Sequence, residues 1–187
     1  MNTDPGNHNK DDPVSGFAGI PRNMTGIAQV MKAGGYRTHM VGKWDVGMAT
    51  PDHTPHGRGY ESSLGYFSHE NDYYNFTVDD NGGAGPKSCP SYAEGASIVD
   101  LWVKEFDGTP EGPAIGLNNS IPKCFVGNDA FPAASSLGGY CPYEDALFEE
   151  RVLSIIDNHN LTDTDRPMFM FYSPHIVHEP LQIPEYW

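Results

Sequence analysis

The chain has 187 residues, 38% of them hydrophobic, which is enough to bury one core and suggests a single domain. Against 25 Asp and Glu stand 11 Lys and Arg, a net charge of −14 that repels nucleic acid and anionic membranes and excludes both as expected partners. No apolar run approaches the ~20 residues of a membrane span.

Residues 1–16 are polar, rich in Asn, Asp, Pro and Gly, and are expected to be irregular or disordered. Residues 17–187 carry the patterned sequence. Thr25 is a good N-cap, and Ile27, Val30 and Met31 follow at helical spacing up to Gly34-Gly35, so a helix is predicted there. Residues 36–42 alternate and are rich in strand formers, which predicts a strand. A helix ending in glycine and passing straight into a strand is half of a βαβ crossover.

Residues 45–66 are rich in Gly, Pro and His and read as loop, at the carboxyl end of a strand where open α/β sheets place their ligand sites. Residues 79–142 read as a long loop-rich excursion, with one short strand expected over 98–103. From Tyr143 the helical period returns. Leu147, Phe148, Val152, Ile155 and Ile156 share one face of a helix of about four turns, with Glu149, Glu150 and Asp157 turned away. Acid residues at its start suit the helix dipole. The unbroken apolar run 168–172 predicts a central parallel strand buried on both faces, ended by Ser173-Pro174-His175.

Two strand ends therefore present polar groups, Lys43-Trp44-Asp45 and the segment from His175 to Glu179. In one parallel sheet these converge at one edge. A lysine there offers fixed positive charge, and a histidine can give a proton or hydrogen bond to a leaving oxygen, a pairing suited to an anionic oxyester. Four N-glycosylation sequons begin at Asn23, Asn75, Asn118 and Asn160 and point to the secretory pathway, although the N-terminus holds no signal-peptide core. Cys89, Cys124 and Cys141 fit neither a zinc knuckle nor a CxxC motif; one disulfide plus one thiol, the pair left open, suits a secreted protein, the alternative being three free thiols. Asp79-Asp80-Asn81-Gly82-Gly83 imitates a metal loop but reads better as a solvated turn, and no metal ligand is assigned in this chain.

Residues 34–47, GGYRTHMVGKWDVG, resemble the second sulfatase signature, G-Y-x-T-x-x-x-G-K-W-H-x-G, departing at Asp45. Arg58-Gly59-Tyr60 with Gly65-Tyr66-Phe67, then Asn71-Asp72-Tyr73-Tyr74, then residues 177–184, VHEPLQIP, resemble successive segments of arylsulfatase-B-like sulfatases. Four matches in order identify residues 17–187 as part of a sulfatase catalytic domain. The resemblance implies an alkaline-phosphatase-like α/β sandwich with a mostly parallel central sheet, incomplete in this chain. It also implies hydrolysis of carbohydrate or aryl sulfate esters in a secreted or lysosome-like compartment.

On that resemblance Lys43 contacts the sulfate and the nucleophile, and His178 binds sulfate on the leaving-group side. Family members use a formylglycine nucleophile, formed in a C/S-x-P/A-x-R motif, and a calcium ion held by Asp and Asn. None of the three cysteines sits in that motif, so nucleophile and calcium ligands are expected outside the chain, which reads as a central fragment. Asp45 stands where the signature has histidine. An ionised Asp ~5 Å from a sulfate is repelled by about 3 kcal/mol at an effective dielectric near 20, so Asp45 is expected to act as base toward the nucleophile, to be protonated, or to mark altered activity. The alternatives are a non-catalytic sulfatase-like glycoprotein and a phosphoester or phosphonate hydrolase of the same superfamily.

Overall fold

The computed structural model describes residues 14, 19–74, 76–78, 98–114, 143–162, 165–182 and 184. Its elements in order are helix α1 (Ile27–Ala33), strands β1 (Arg37–Lys43), β2 (Ser62–Tyr66), β3 (Thr77–Val78), β4 (Ile98–Val99), β5 (Trp102–Lys104) and β6 (Gly112–Pro113), helix α2 (Glu144–Thr162) and strand β7 (Met168–Ser173). The main sheet runs β6-β5-β2-β1-β7. β2, β1 and β7 are parallel, while β5 and β6 continue the sheet antiparallel.

β1 is the centre of the molecule. Thr38, His39, Met40 and Val41 are all 2% exposed or less, because α1 covers one face and α2 the other. Met40 packs with Ala28, Trp44 and Tyr60 on the α1 side. Val41 packs with Tyr66, Leu101, Phe148 and Ile155 on the α2 side. Full burial of a side chain such as Phe148 contributes about 1.5–3 kcal/mol. The polar members of the strand are paired: Thr38 Oγ1 donates to the Gly59 carbonyl at 2.8 Å, and His39 Nδ1 meets Ser62 Oγ at 2.9 Å. The carboxyl ends of the parallel strands approach so closely that a Cβ on Gly42 would collide with the Ser173 carbonyl oxygen, and one on Gly65 with the Gly42 carbonyl oxygen.

Several boundaries differ from the sequence expectation. Gly26, not Thr25, caps α1, its N–H donating to Gln29 Oε1 at 2.8 Å. The region 45–66 is not all loop. A 3-10 turn forms at Pro51–His53, and β2 closes the segment, its apolar signal diluted by Ser62 and Ser63, both buried. The strand expected over 98–103 is two strands broken at Asp100-Leu101, and Asp100 leaves the ladder to bond the chain after β2. α2 has 19 residues, about a turn longer than predicted. β7 is an edge strand among the described residues, with Phe171 and Tyr172 each 41% exposed, so its apolar run does not mark two covered faces here. Residues 1–13, 79–97 and 115–142, with all three cysteines, Asn75 and Asn118, lie outside the described residues. Asn23 and Asn160 are exposed.

Candidate active site

Three adjacent parallel strands end at the same edge of the sheet, and each delivers polar groups there. β1 delivers Lys43 and Asp45, the chain after β2 delivers His69, and the chain after β7 delivers His178. The Lys43 ammonium donates to the His69 carbonyl oxygen and lies 3.8 Å from Asp45 Oδ2. Asp45 Oδ2 is in turn 3.6 Å from His69 Nδ1. The His69 and His178 rings meet edge to face, 5.1 Å between centroids.

Asp45 reaches this cluster because its backbone adopts φ 46°, a left-handed conformation that Asp tolerates better than most residues. The turn is anchored on both sides. Trp44 N–H donates to the Tyr66 carbonyl at 2.9 Å, and Trp44 Nε1 donates to the carbonyls of Gly47 and His53 at 2.9 and 3.0 Å. The chain carrying His69 is clamped by Asp100, whose two oxygens accept the N–H groups of Phe67 and Ser68 at 2.9 and 2.7 Å.

A buried shell holds the His178 segment. Asp145, in the first turn of α2, accepts the N–H groups of His175 and Ile176 at 2.8 and 3.1 Å. Its neighbour Glu144 meets His175 Nδ1 at 2.7 Å, both side chains wholly inaccessible to solvent. Asn71 Nδ2 donates to the other Glu144 oxygen at 2.8 Å and to the Asp100 carbonyl at 3.1 Å. Tyr73 stacks on His175 at 3.8 Å, and its hydroxyl donates to the carbonyls of His175 and His178. Gln182 is gripped from both ends, its Oε1 accepting Tyr73 N–H at 2.9 Å and its Nε2 donating to Asp72 Oδ2 at 2.7 Å.

Burial raises the Glu144 carboxyl well above its ordinary range; the Asn71 hydrogen bond opposes this, and Asp145, Asp100 and Asp72 add to it. Burial likewise lowers His175 to about 4. Both shifts favour the uncharged forms of the pair.

A groove of about 390 Å³ lies at the opposite end of β1, lined by Arg37, His39, Phe106, Arg151 and His159. Its cations are already engaged. Arg151 pairs with Glu105 through contacts of 2.6 and 3.1 Å, and Arg37 lies 3.6 Å from Glu61. His39 is lowered to about 4, first by burial and then by His159, Arg151 and Arg37. Both arginines of this groove thus have carboxylate partners, whereas the carboxyl edge gathers Lys43, Asp45, His69 and His178.

Lys43, Asp45 and His178, the three residues singled out from sequence, thus sit in one cluster. Sequence reasoning did not find His69, because β2 went unrecognised and its carboxyl end was not examined. It also missed the inward turn of Glu144 and Asp145, reading them only as helix-dipole partners. Among the described residues no group of three or more His, Cys, Asp or Glu side chains could hold a metal ion.

The chain belongs to the sulfatase family, whose model, described as Sulfatase, matches residues 2–187. Among curated relatives, mouse (Mus musculus) arylsulfatase J is 26% identical over 165 residues, covering 88% of this chain and 21% of the relative. Dog (Canis lupus familiaris) arylsulfatase G is 34% identical over 83 residues, 44% of this chain and 14% of its own length. The chain thus spans about a fifth or less of these relatives. Among solved structures, Ps i-CgsB in complex with k-i-k-neocarrahexaose superposes with TM-score 0.54 at 18% identity, over 90% of this chain and 30% of that one. The PsFucS1 sulfatase from Pseudoalteromonas sp. does so with TM-score 0.53 at 18% identity, over 97% and 31%. The fold is part of the alkaline-phosphatase-like sandwich with a mostly parallel sheet.

Proposed function

We propose that the parent protein of this chain hydrolyses sulfate monoesters, with Lys43, Asp45 and His178 in its active site. The observation that supports this reading is the meeting of a lysine, a carboxylate and two imidazoles where three parallel strands end. The Lys43 ammonium supplies the fixed positive charge that a sulfate group needs in a protein of net charge −14. His178 Nδ1 lies 2.8 Å from the Glu179 carbonyl, which can only accept, so Nδ1 carries a hydrogen and Nε2 is the nitrogen left for the ester's leaving oxygen.

A formylglycine supplied by a segment outside this chain would provide the nucleophile. Asp45, beside Lys43 and aimed along the same edge, is the base that would take the proton of that nucleophile. Calcium, on the same reading, is held by residues outside this chain.

The substrate is a sulfated carbohydrate or an aryl sulfate. Support for the carbohydrate comes from the neocarrahexaose held by a protein of the same fold. Exposed sequons at Asn23 and Asn160 support passage through the secretory pathway. No described helix is long and apolar enough to cross a membrane.

The test is turnover of 4-nitrophenyl sulfate and of sulfated oligosaccharides by the parent protein, with Lys43→Ala alongside. Sulfate release that Lys43→Ala abolishes supports the reading. Tight binding of sulfate with no release from any ester would replace it with a non-catalytic binding role, and release of phosphate alone with a phosphoesterase.

A further inference from the structure

His69 is placed like a ligand-binding group rather than a packing group. Its side chain is 65% exposed, yet its contacts are with Lys43, Asp45 and His178. Its backbone is the better fixed part, because Asp100 holds the two preceding amides and Lys43 donates to its carbonyl.

The ring's hydrogen-bonding state follows from its neighbours. Lys43 Nζ lies 3.4 Å from His69 Nδ1. An ammonium can only donate, so this contact requires a lone pair on Nδ1 and leaves the ring hydrogen on Nε2. If Nδ1 instead carries a proton toward Asp45 Oδ2, 3.6 Å away, the ring that keeps its Nε2 hydrogen is the imidazolium, which is better still as an anion donor. In both of these arrangements Nε2 carries a hydrogen on the side of the ring away from Nδ1, whereas a neutral ring with its hydrogen on Nδ1 would leave the Lys43 contact unmade. His178 differs, because its Nδ1 hydrogen is committed to the Glu179 carbonyl, so its Nε2 donates to the leaving oxygen only as the imidazolium.

We propose that His69 is a substrate-contacting residue whose Nε2–H donates to an oxygen of the bound sulfate group, with Lys43 and Asp45 orienting the ring. The inference rests on the sulfatase reading above and adds to it a division of labour. His69 is the anion donor from the β2 end of the edge, and His178 faces the leaving oxygen from the β7 end. It also answers the repulsion expected of Asp45, since a carboxylate occupied with orienting donors is offset locally by Lys43 and, when protonated, by His69.

The experiment measures inhibition of the parent sulfatase by inorganic sulfate, and kcat and KM for 4-nitrophenyl sulfate, in wild type, His69→Ala, His69→Gln and Lys43→Ala. His69→Ala is expected to weaken sulfate inhibition and lower kcat/KM by about ten- to a hundred-fold, the range of a hydrogen bond to a charged group. His69→Gln, whose amide can donate, should recover part of that loss. Because the ring is exposed, the melting temperature should not move, which removes misfolding as an explanation. Unchanged inhibition and kcat/KM in His69→Ala, with Lys43→Ala still inactive, would overturn the inference and leave the sulfatase reading standing. Unchanged values in both variants would overturn the two together.

Discussion

The edge of the sheet and the shell behind it are built on opposite principles. At the edge, Asp45 and His69 are 35% and 65% exposed, held by few contacts and free to exchange water for a ligand. Behind it, Glu144 and His175 have no exposed side-chain surface at all, and Asn71, Asp145 and Tyr73 tie the pair and its segment into the protein by hydrogen bonds. The groups proposed to meet substrate thus take their positions from residues that are buried, and the edge stays wet while the Glu144–His175 pair behind it is buried and uncharged.

Separating the two regions is the way to break this comparison. The largest effect belongs to the edge: Lys43→Ala should cost about 10²–10³ in turnover of an aryl sulfate, with the melting temperature of the parent protein unchanged. Asp45→Asn should lower kcat by a smaller factor, and turnover equal to wild type would remove the base role. The shell should respond the other way round. Glu144→Ala leaves the neutral His175 ring buried with its Nδ1 unpaired, and a loss of about 1–3 kcal/mol in denaturant unfolding is expected. Combining it with His175→Leu should recover much of that loss; a double variant no more stable than Glu144→Ala would mean the pair is not coupled.

The pH dependence of stability sharpens the same contrast. Ordinary values for these two groups are 4.5 and 6.5, and the folded pair moves them apart, Glu144 well upward and His175 down to about 4. Between about 4.5 and 6.5 the unfolded chain also holds one proton on these groups, so the pair adds no slope. Above 6.5 the folded pair keeps a proton that the unfolded chain has lost, and its contribution falls as pH rises. Below 4.5 the unfolded chain holds two, and the contribution falls as pH drops toward 4. Glu144→Gln should flatten the alkaline limb; a limb that persists would place its origin elsewhere. The smallest effect is at the surface, where, on the proposed passage through the secretory pathway, Asn23→Gln should remove one glycan, read as a mobility shift, with stability within about 0.5 kcal/mol.

What sequence made legible follows from the range over which each signal acts. β1 and α2 announce themselves through local periodicity, and Lys43, Asp45 and His178 through segments that resemble a known signature. β2 does not, because a strand deep in a sheet can bury two serines once His39 satisfies one of them, and an apolar count reads such a segment as loop. Glu144 and His175 are 31 residues apart, and nothing short of the fold says that they touch. β7 taught the reverse lesson. Its apolar run suited a fully covered strand, while the described sheet leaves Phe171 and Tyr172 on an open edge.

The glycines where β7, β1 and β2 press together set a limit on how this site can be re-engineered. A side chain at Gly42 or Gly65 would collide with a neighbouring carbonyl, so new chemistry cannot be installed at the centre of the edge. Retuning the proposed site must be done in the segments that leave the strands, around Asp45, His69 and His178. There a substitution changes what meets the substrate without prising the sheet apart.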